Sequence, residues 1–135
     1  MKSNVLFLLL SILFLSACAH KNPLKGGGSS DSQAVLYGWV NFNEYISPIS
    51  TFVDIEVCKV VKERCITVVK QRYKGVQLPV QYSFVVAPTQ AGNGEMKIRA
   101  VLRSQGEVRA SKEEQYLFTQ GSIHRDIMLE AYKNY

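Results

Sequence analysis

Apolar and polar residues alternate with a period of two over most of the chain after residue 34. The clearest stretch is residues 52–58, in which Val53, Ile55 and Val57 would face one side and polar residues the other. Such alternation predicts β-strands with one buried and one exposed face. The pattern predicts about seven short strands, at residues 35–44, 52–58, 65–72, 80–87, 96–103, 115–119 and 123–129.

Turn-forming segments separate these strands, for example PTQAGNG at residues 88–94. One segment is ambiguous: SKEE at 111–114 has the spacing of a helix capping box, but the β-forming residues after it favour a strand near 115–119. No stretch keeps a helical period. Regularly spaced, alternating strands are typical of an antiparallel sandwich. We therefore expect an all-β fold, an antiparallel β-sandwich whose two sheets share one core.

The start of the chain has the form of a secretory signal. Lys2 precedes an apolar run at residues 5–15, and Leu-Ser-Ala-Cys follows at 15–18. That tetrapeptide resembles a bacterial lipobox, which implies cleavage before Cys18 and lipid attachment to its nucleophilic sulfur. The alternatives are a soluble secreted protein that is cut nearby and an uncleaved membrane helix, although a comfortable span needs about 20 apolar residues.

The predicted organisation is a lipoprotein signal peptide at 1–17, a flexible tether at 18–34 and a β-sandwich domain at 35–135. The tether is rich in Gly and Ser, and about fifteen such residues reach roughly 20 Å. Ala19 follows Cys18. Enterobacterial lipoproteins with Asp at this position stay in the inner membrane, so by resemblance we expect a lipid-anchored outer-membrane protein that faces the periplasm.

Composition and motifs exclude several functions. The net charge of the 135 residues is +5, but the basic residues are spread singly and form no stripe that would bind nucleic acid. The chain contains no Gly-x-Ser-x-Gly or His-Glu-x-x-His motif, and the glycines at 26–28 lack the context of a phosphate loop. His20, His124 and the cysteines match no zinc spacing. We expect no enzymatic activity, no cofactor and no metal site.

Two cysteines remain once Cys18 is assigned to lipid. A hairpin around residues 59–64 would place Cys58 opposite Cys65 on the polar face, with Ile66 and Val68 directed inward. Facing thiols in the periplasm are expected to form a disulfide. The alternatives are two unpaired thiols or a register that separates them.

Tyr37 and Trp39 would lie on the face of the first strand opposite to the core. Exposed apolar side chains often mark a partner-binding surface, and these two residues are our candidates for one. The alternative is that they form the second, covered side of a buried strand.

Several motifs of the domain together resemble the small β-sandwich lipoproteins of the YbaY/YscW type. In chain order they are YGWV at 37–40, ISP at 46–48, VDIEV at 53–57, LPVQYSF at 78–84, MKIRA at 96–100, FTQG at 118–121 and DIML at 126–129. YscW-type members are pilotins of type III secretion, which bind the C-terminal segment of the secretin and carry it to the outer membrane. The resemblance therefore implies a pilotin with a secretin subunit as its partner.

The same resemblance leaves a second function open, because a shared fold does not fix function. YbaY-like members lack a well-defined activity, so the alternative is an envelope lipoprotein with a structural or small-molecule-binding role. A third and weaker hypothesis is an inhibitor-like sandwich that presents the loop at residues 88–94 to an enzyme.

Overall fold

The computed structural model describes residues 33–132. The predicted signal peptide, Cys18 and nearly all of the predicted tether lie outside the described residues. Within them the chain forms nine strands and one helical turn: β1 (Ala34–Asn41), β2 (Thr51–Val61), β3 (Arg64–Lys74), β4 (Val80–Val86), α1 (Pro88–Ala91), β5 (Glu95–Ser104), β6 (Glu107–Leu117), β7 (Gly121–His124), β8 (Ile127–Met128) and β9 (Glu130–Ala131).

The strands form two packed sheets, which confirms the all-β sandwich. Sheet A has the order β4-β1-β7, and β8 also pairs with β1; sheet B has the order β3-β2-β5-β6-β9. Neighbouring strands are antiparallel, except that β1 runs parallel to β7 and β8. No helix in the described part of the chain is long and apolar enough to cross a membrane.

The core lies between the inward faces of the two sheets, as the alternating pattern predicts. In β1 every second residue is buried from Ala34 to Val40, and β4 alternates in the same way. Sheet B supplies the other half of the core through inward residues of β2, β5 and β6: Val53, Ile55, Val57, Met96, Ile98, Ala100, Leu102, Ala110 and Tyr116.

The prediction for the inward residues of β3 is confirmed for Val68, which packs partly buried against the core, and wrong for Ile66. Ile66 is 45% exposed and pairs with Lys59, whereas Val57 pairs with Val69. The register shifts between Val57 and Cys58, because β3 contains one extra residue at that point. A bulge reverses the alternation of side chains, so a strict period of two assigns the wrong face beyond it, where Val69 packs against the core. Ile66 lies on the turn side of the bulge, in the row of Lys59 and Met96.

The last third of the chain also differs from the expected strands. β6 is a full strand from Glu107, paired with β5 through a second bulge at Leu102/Arg103, and contains the residues with capping-box spacing. The expected final strand at 123–129 is divided into β7 and β8 at Arg125 and Asp126.

Candidate partner-binding site

The outward residues of β1 form an exposed apolar row. Val35, Tyr37 and Trp39 are 37%, 37% and 42% exposed. Val35 pairs with Val85 of β4, which is also exposed, and Tyr37 lies beside His124 of β7. The two aromatic residues predicted as a partner site therefore lie at the centre of one surface, which we call the outer face of sheet A: Val35, Tyr37, Trp39, Gln81, Ser83, Val85, Ser122, His124 and Met128.

Gly38 allows this row to form where the chain crosses from β7 to β8. A Cβ at Gly38 would overlap the carbonyl oxygen of Arg125, so only glycine leaves room for this approach. The same oxygen accepts a hydrogen bond from the Tyr82 hydroxyl at 2.6 Å, and the Arg125 N–H donates to the Tyr37 carbonyl oxygen at 2.9 Å. The contacts of Arg125 therefore hold the β1 backbone between Tyr37 and Trp39 in place.

A polar cluster borders the aromatic pair. Asp126 Oδ1 accepts a hydrogen bond from the backbone N–H of Trp39 at 2.9 Å and lies 3.1 Å from His124 Nε2. The His124 ring lies beside the Tyr37 ring, with centroids 5.2 Å apart. These contacts hold the backbone at Trp39 and place the His124 ring against Tyr37, and a preorganised surface loses less entropy on binding.

The outer face of sheet A carries no formal charge on its strands. None of β1, β4, β7 and β8 contains Lys, Arg, Asp or Glu. Among the described strands β4 also has a neighbour on one side only, so its other edge is open. A neutral aromatic surface beside an open edge suits an amphipathic helix or an added strand.

Sequence reasoning missed part of this face. Val85 shares its orientation with Gln81 and Ser83, so the alternation of β4 alone would have found it. Met128 and His124 join the face, and Asp126 borders it, only through the parallel pairing of β7 and β8 with β1, for which the local sequence gives no signal.

The two cysteines of the described region lie at bonding distance, which supports the predicted disulfide. Their Cα atoms are 5.4 Å apart, within the usual range for a disulfide. They are diagonal neighbours, not the directly opposed pair that we expected: Cys58 pairs with Thr67, and Cys65 with Val60. The difference follows from the turn at Lys62 and Glu63, which sets the register of both strands up to the β3 bulge. The bridge joins β2 to the edge strand of sheet B, away from the outer face of sheet A.

Charged residues of the domain concentrate on sheet B instead. Asp54 is largely buried and accepts hydrogen bonds from Arg72 Nε and Nη2 at 2.5 and 2.8 Å. These bonds lower the pKa of the Asp54 carboxyl below its usual range, with further help from Lys70 and Arg103, while burial acts in the opposite direction. The pair ties β3 to β2 and contains no nucleophile. Within residues 33–132 no group of three or more His, Cys, Asp or Glu residues is placed to hold a metal ion.

Comparisons with known proteins identify the fold but no sequence family. No protein-family model matches the chain, and no curated protein sequence matches it. Among solved structures the chain is similar to an alternative pilotin from the type II secretion system of Vibrio cholerae. The TM-score is 0.62 at 14% sequence identity, and the match covers 76% of this chain and 99% of that chain. The chain therefore has a pilotin-like fold, whereas membership of the YbaY/YscW type stays a prediction.

Proposed function

We propose that this protein is a lipid-anchored pilotin, which binds the C-terminal segment of a secretin subunit on the outer face of sheet A and carries it to the outer membrane. The observation that carries the proposal is the neutral row of Val35, Tyr37 and Trp39 on a pilotin-like fold. Trp and Tyr are enriched among the residues on which the binding energy of protein interfaces concentrates. Anchoring is assigned to acylated Cys18, on the resemblance of residues 15–18 to a lipobox.

The proposal also specifies the type of secretion system. The motifs of the domain resemble YscW-type pilotins, so we assign the protein to type III secretion. The similar solved structure is a pilotin of a type II system. The binding experiment therefore compares C-terminal peptides from a type III and a type II secretin of the same bacterium.

Trp39 provides a direct probe, because it is the single tryptophan of the chain. Titration with the cognate peptide should shift the Trp39 emission to shorter wavelength as the indole leaves water. In calorimetry, Trp39→Ala should weaken binding about 30-fold, the effect of an interface residue worth about 2 kcal/mol. The matched control is Leu117→Ala, which removes a 70% exposed apolar side chain from sheet B and should bind as the wild type does.

The same variants test the role in cells. The secretin multimer should be lost from the outer membrane with Trp39→Ala or Cys18→Ser and present with Leu117→Ala. Equal peptide affinity of the Trp39→Ala and Leu117→Ala proteins would refute the proposed face. Normal secretin assembly in cells that lack the protein would refute the pilotin function itself.

A further inference from the structure

The two outer faces of the sandwich differ sharply in charge. The outer face of sheet A has no charged strand residue, whereas four successive cross-strand rows of sheet B, those of Phe52, Asp54, Glu56 and Cys58, are strongly charged. These rows contain four acidic residues, Asp54, Glu56, Glu113 and, through β9, Glu130. They contain six basic residues, which we call the cationic face and which give the rows a net charge of +2 (6 − 4): Lys70, Arg72, Lys74, Lys97, Arg99 and Arg103.

Three of the six basic residues of the cationic face form no salt bridge with another described residue. Arg72 pairs with Asp54 at 2.5 Å and Lys97 with Glu113 at 2.8 Å, while Arg103 lies 3.8 Å from Asp54. No salt bridge among the described residues involves the other three basic residues, Lys70, Lys74 and Arg99, and all three are exposed. They lie on β3 and β5, on either side of β2, and so present their charge over a broad surface.

The shape and position of this face favour a membrane as its partner. The described domain begins at Gln33, fifteen residues after Cys18, and the Gly/Ser-rich composition predicts a tether that spans roughly 20 Å. A lipid on Cys18 would thus keep the domain close to the bilayer surface, where the potential of anionic phospholipids acts within about one Debye length, ~8 Å. Cations spread over two strands complement such a surface better than they complement a single small anion.

We propose that the cationic face of sheet B lies against the anionic phospholipid surface of the membrane that holds the anchor. The inference rests on the proposed lipid anchor. It goes beyond the proposed function, because it sets the orientation of the domain. With sheet B against the bilayer, the outer face of sheet A is directed into the periplasm and is accessible to the secretin segment.

The test is amine footprinting of the full-length lipoprotein in vesicles, read by mass spectrometry. One set of vesicles is pure phosphatidylcholine, and the other contains equal parts phosphatidylcholine and phosphatidylglycerol. Lys70 and Lys74 should acetylate several-fold more slowly in the anionic vesicles, and high salt should abolish the difference. Lys112, which is bound to Glu130 at the β6–β9 edge, is the internal reference.

A charge-removing variant and its control sharpen the test. Arg99→Gln should reduce the protection of Lys70 and Lys74 about fivefold, the effect of one basic residue near an anionic surface. Arg125→Gln removes an exposed arginine beside sheet A and should leave the protection unchanged. Equal effects of the two variants would show that only net charge matters and would overturn the orientation.

Other outcomes would also overturn it. Equal lysine reactivity in both kinds of vesicle, on protein that floats with both, refutes the membrane-facing role while the anchor and the pilotin function stand. Quenching of Trp39 by brominated lipid chains would place sheet A against the bilayer instead. Protection of Lys70 and Lys74 by the secretin peptide would assign the cationic face to the protein partner. Protein that does not float with either vesicle refutes the anchor and the orientation together.

Discussion

Two core tyrosines that look alike in sequence should respond in opposite ways to removal of the hydroxyl group. Tyr82 and Tyr116 are only 1% and 6% exposed. The Tyr82 hydroxyl donates to the Arg125 carbonyl oxygen at 2.6 Å, whereas the Tyr116 hydroxyl has no hydrogen-bond partner in the described part of the chain. We predict that Tyr82→Phe destabilises the domain and that Tyr116→Phe does not.

The magnitudes follow from the two environments. A hydrogen bond contributes about 1 kcal/mol net, and its loss also leaves the Arg125 carbonyl without this donor, so Tyr82→Phe should cost about 1 to 2 kcal/mol. A buried hydroxyl without a partner carries a desolvation penalty of about 1–3 kcal/mol. Its removal in Tyr116→Phe should therefore leave the free energy of unfolding unchanged or raise it by up to about 2 kcal/mol.

Urea unfolding at neutral pH measures both changes. With a slope of about 1–3 kcal/mol per molar urea, Tyr82→Phe should lower the midpoint by roughly 0.3 to 2 M, and Tyr116→Phe should keep or raise it. A loss of stability in Tyr116→Phe equal to that in Tyr82→Phe would refute the reasoning, because it would show that the Tyr116 hydroxyl has a partner of its own.

Alkaline unfolding gives a second measure of Tyr116. Burial raises the pKa of Tyr116 to about 12, from about 10 for an exposed tyrosine. A pKa raised in the folded state means that the folded protein holds more protons than the unfolded chain between these values. The contribution of the protonated Tyr116 to stability is thus fully present below pH 10 and is lost as the pH rises from about 10 towards 12. Tyr116→Phe should retain more of its stability in this window than the wild type does.

Three further changes test other parts of the domain. Cys65→Ser opens a bridge between residues seven apart and should cost about 2.5 kcal/mol in urea unfolding, with reductant weakening only the wild type. Gly38→Ala places a Cβ against the Arg125 carbonyl and should cost about 1–3 kcal/mol; an unchanged melting temperature would contradict the close approach. Asp54→Asn removes a carboxyl whose pKa is lowered by Arg72. The ionised carboxyl stabilises the wild type above about pH 4, and this contribution is lost as the pH falls further. The variant should therefore be less stable at neutral pH and lose less stability in acid, measured by acid titration of the circular dichroism signal.

The local pattern of the sequence predicted the sandwich, the strands β1, β2, β4 and β5, and the outward position of Tyr37 and Trp39. It succeeded there because strict alternation records directly which side chains are buried. It also brought Cys58 and Cys65 to neighbouring strands, since a short hairpin leaves few alternatives.

The errors lie where the alternation is interrupted or where distant strands pair. The turn at Lys62 and Glu63 made the cysteines diagonal neighbours, and the bulge in β3 placed Val69 opposite Val57. A local pattern contains neither the turn position nor a count of residues on the partner strand. The division of the last strand at Arg125 depends on Gly38 and Tyr82, which are distant in sequence. The segment with capping-box spacing is part of strand β6, because it pairs with β5.

The inward and outward side chains of β1 have different roles: the inward ones stabilise the fold, and the outward ones form the proposed binding surface. Its inward residues, together with Gly38 and its contact with Arg125, hold the two sheets in place, while Val35, Tyr37 and Trp39 contribute little to the core. Outward positions can therefore change without loss of the fold, and the similarity to the Vibrio cholerae pilotin, at 14% identity, shows the fold alone. For the same reason the shared fold cannot name the partner. Specificity must be sought in the outward residues, and the comparison of Trp39→Ala with Leu117→Ala measures it on one exposed residue of each sheet.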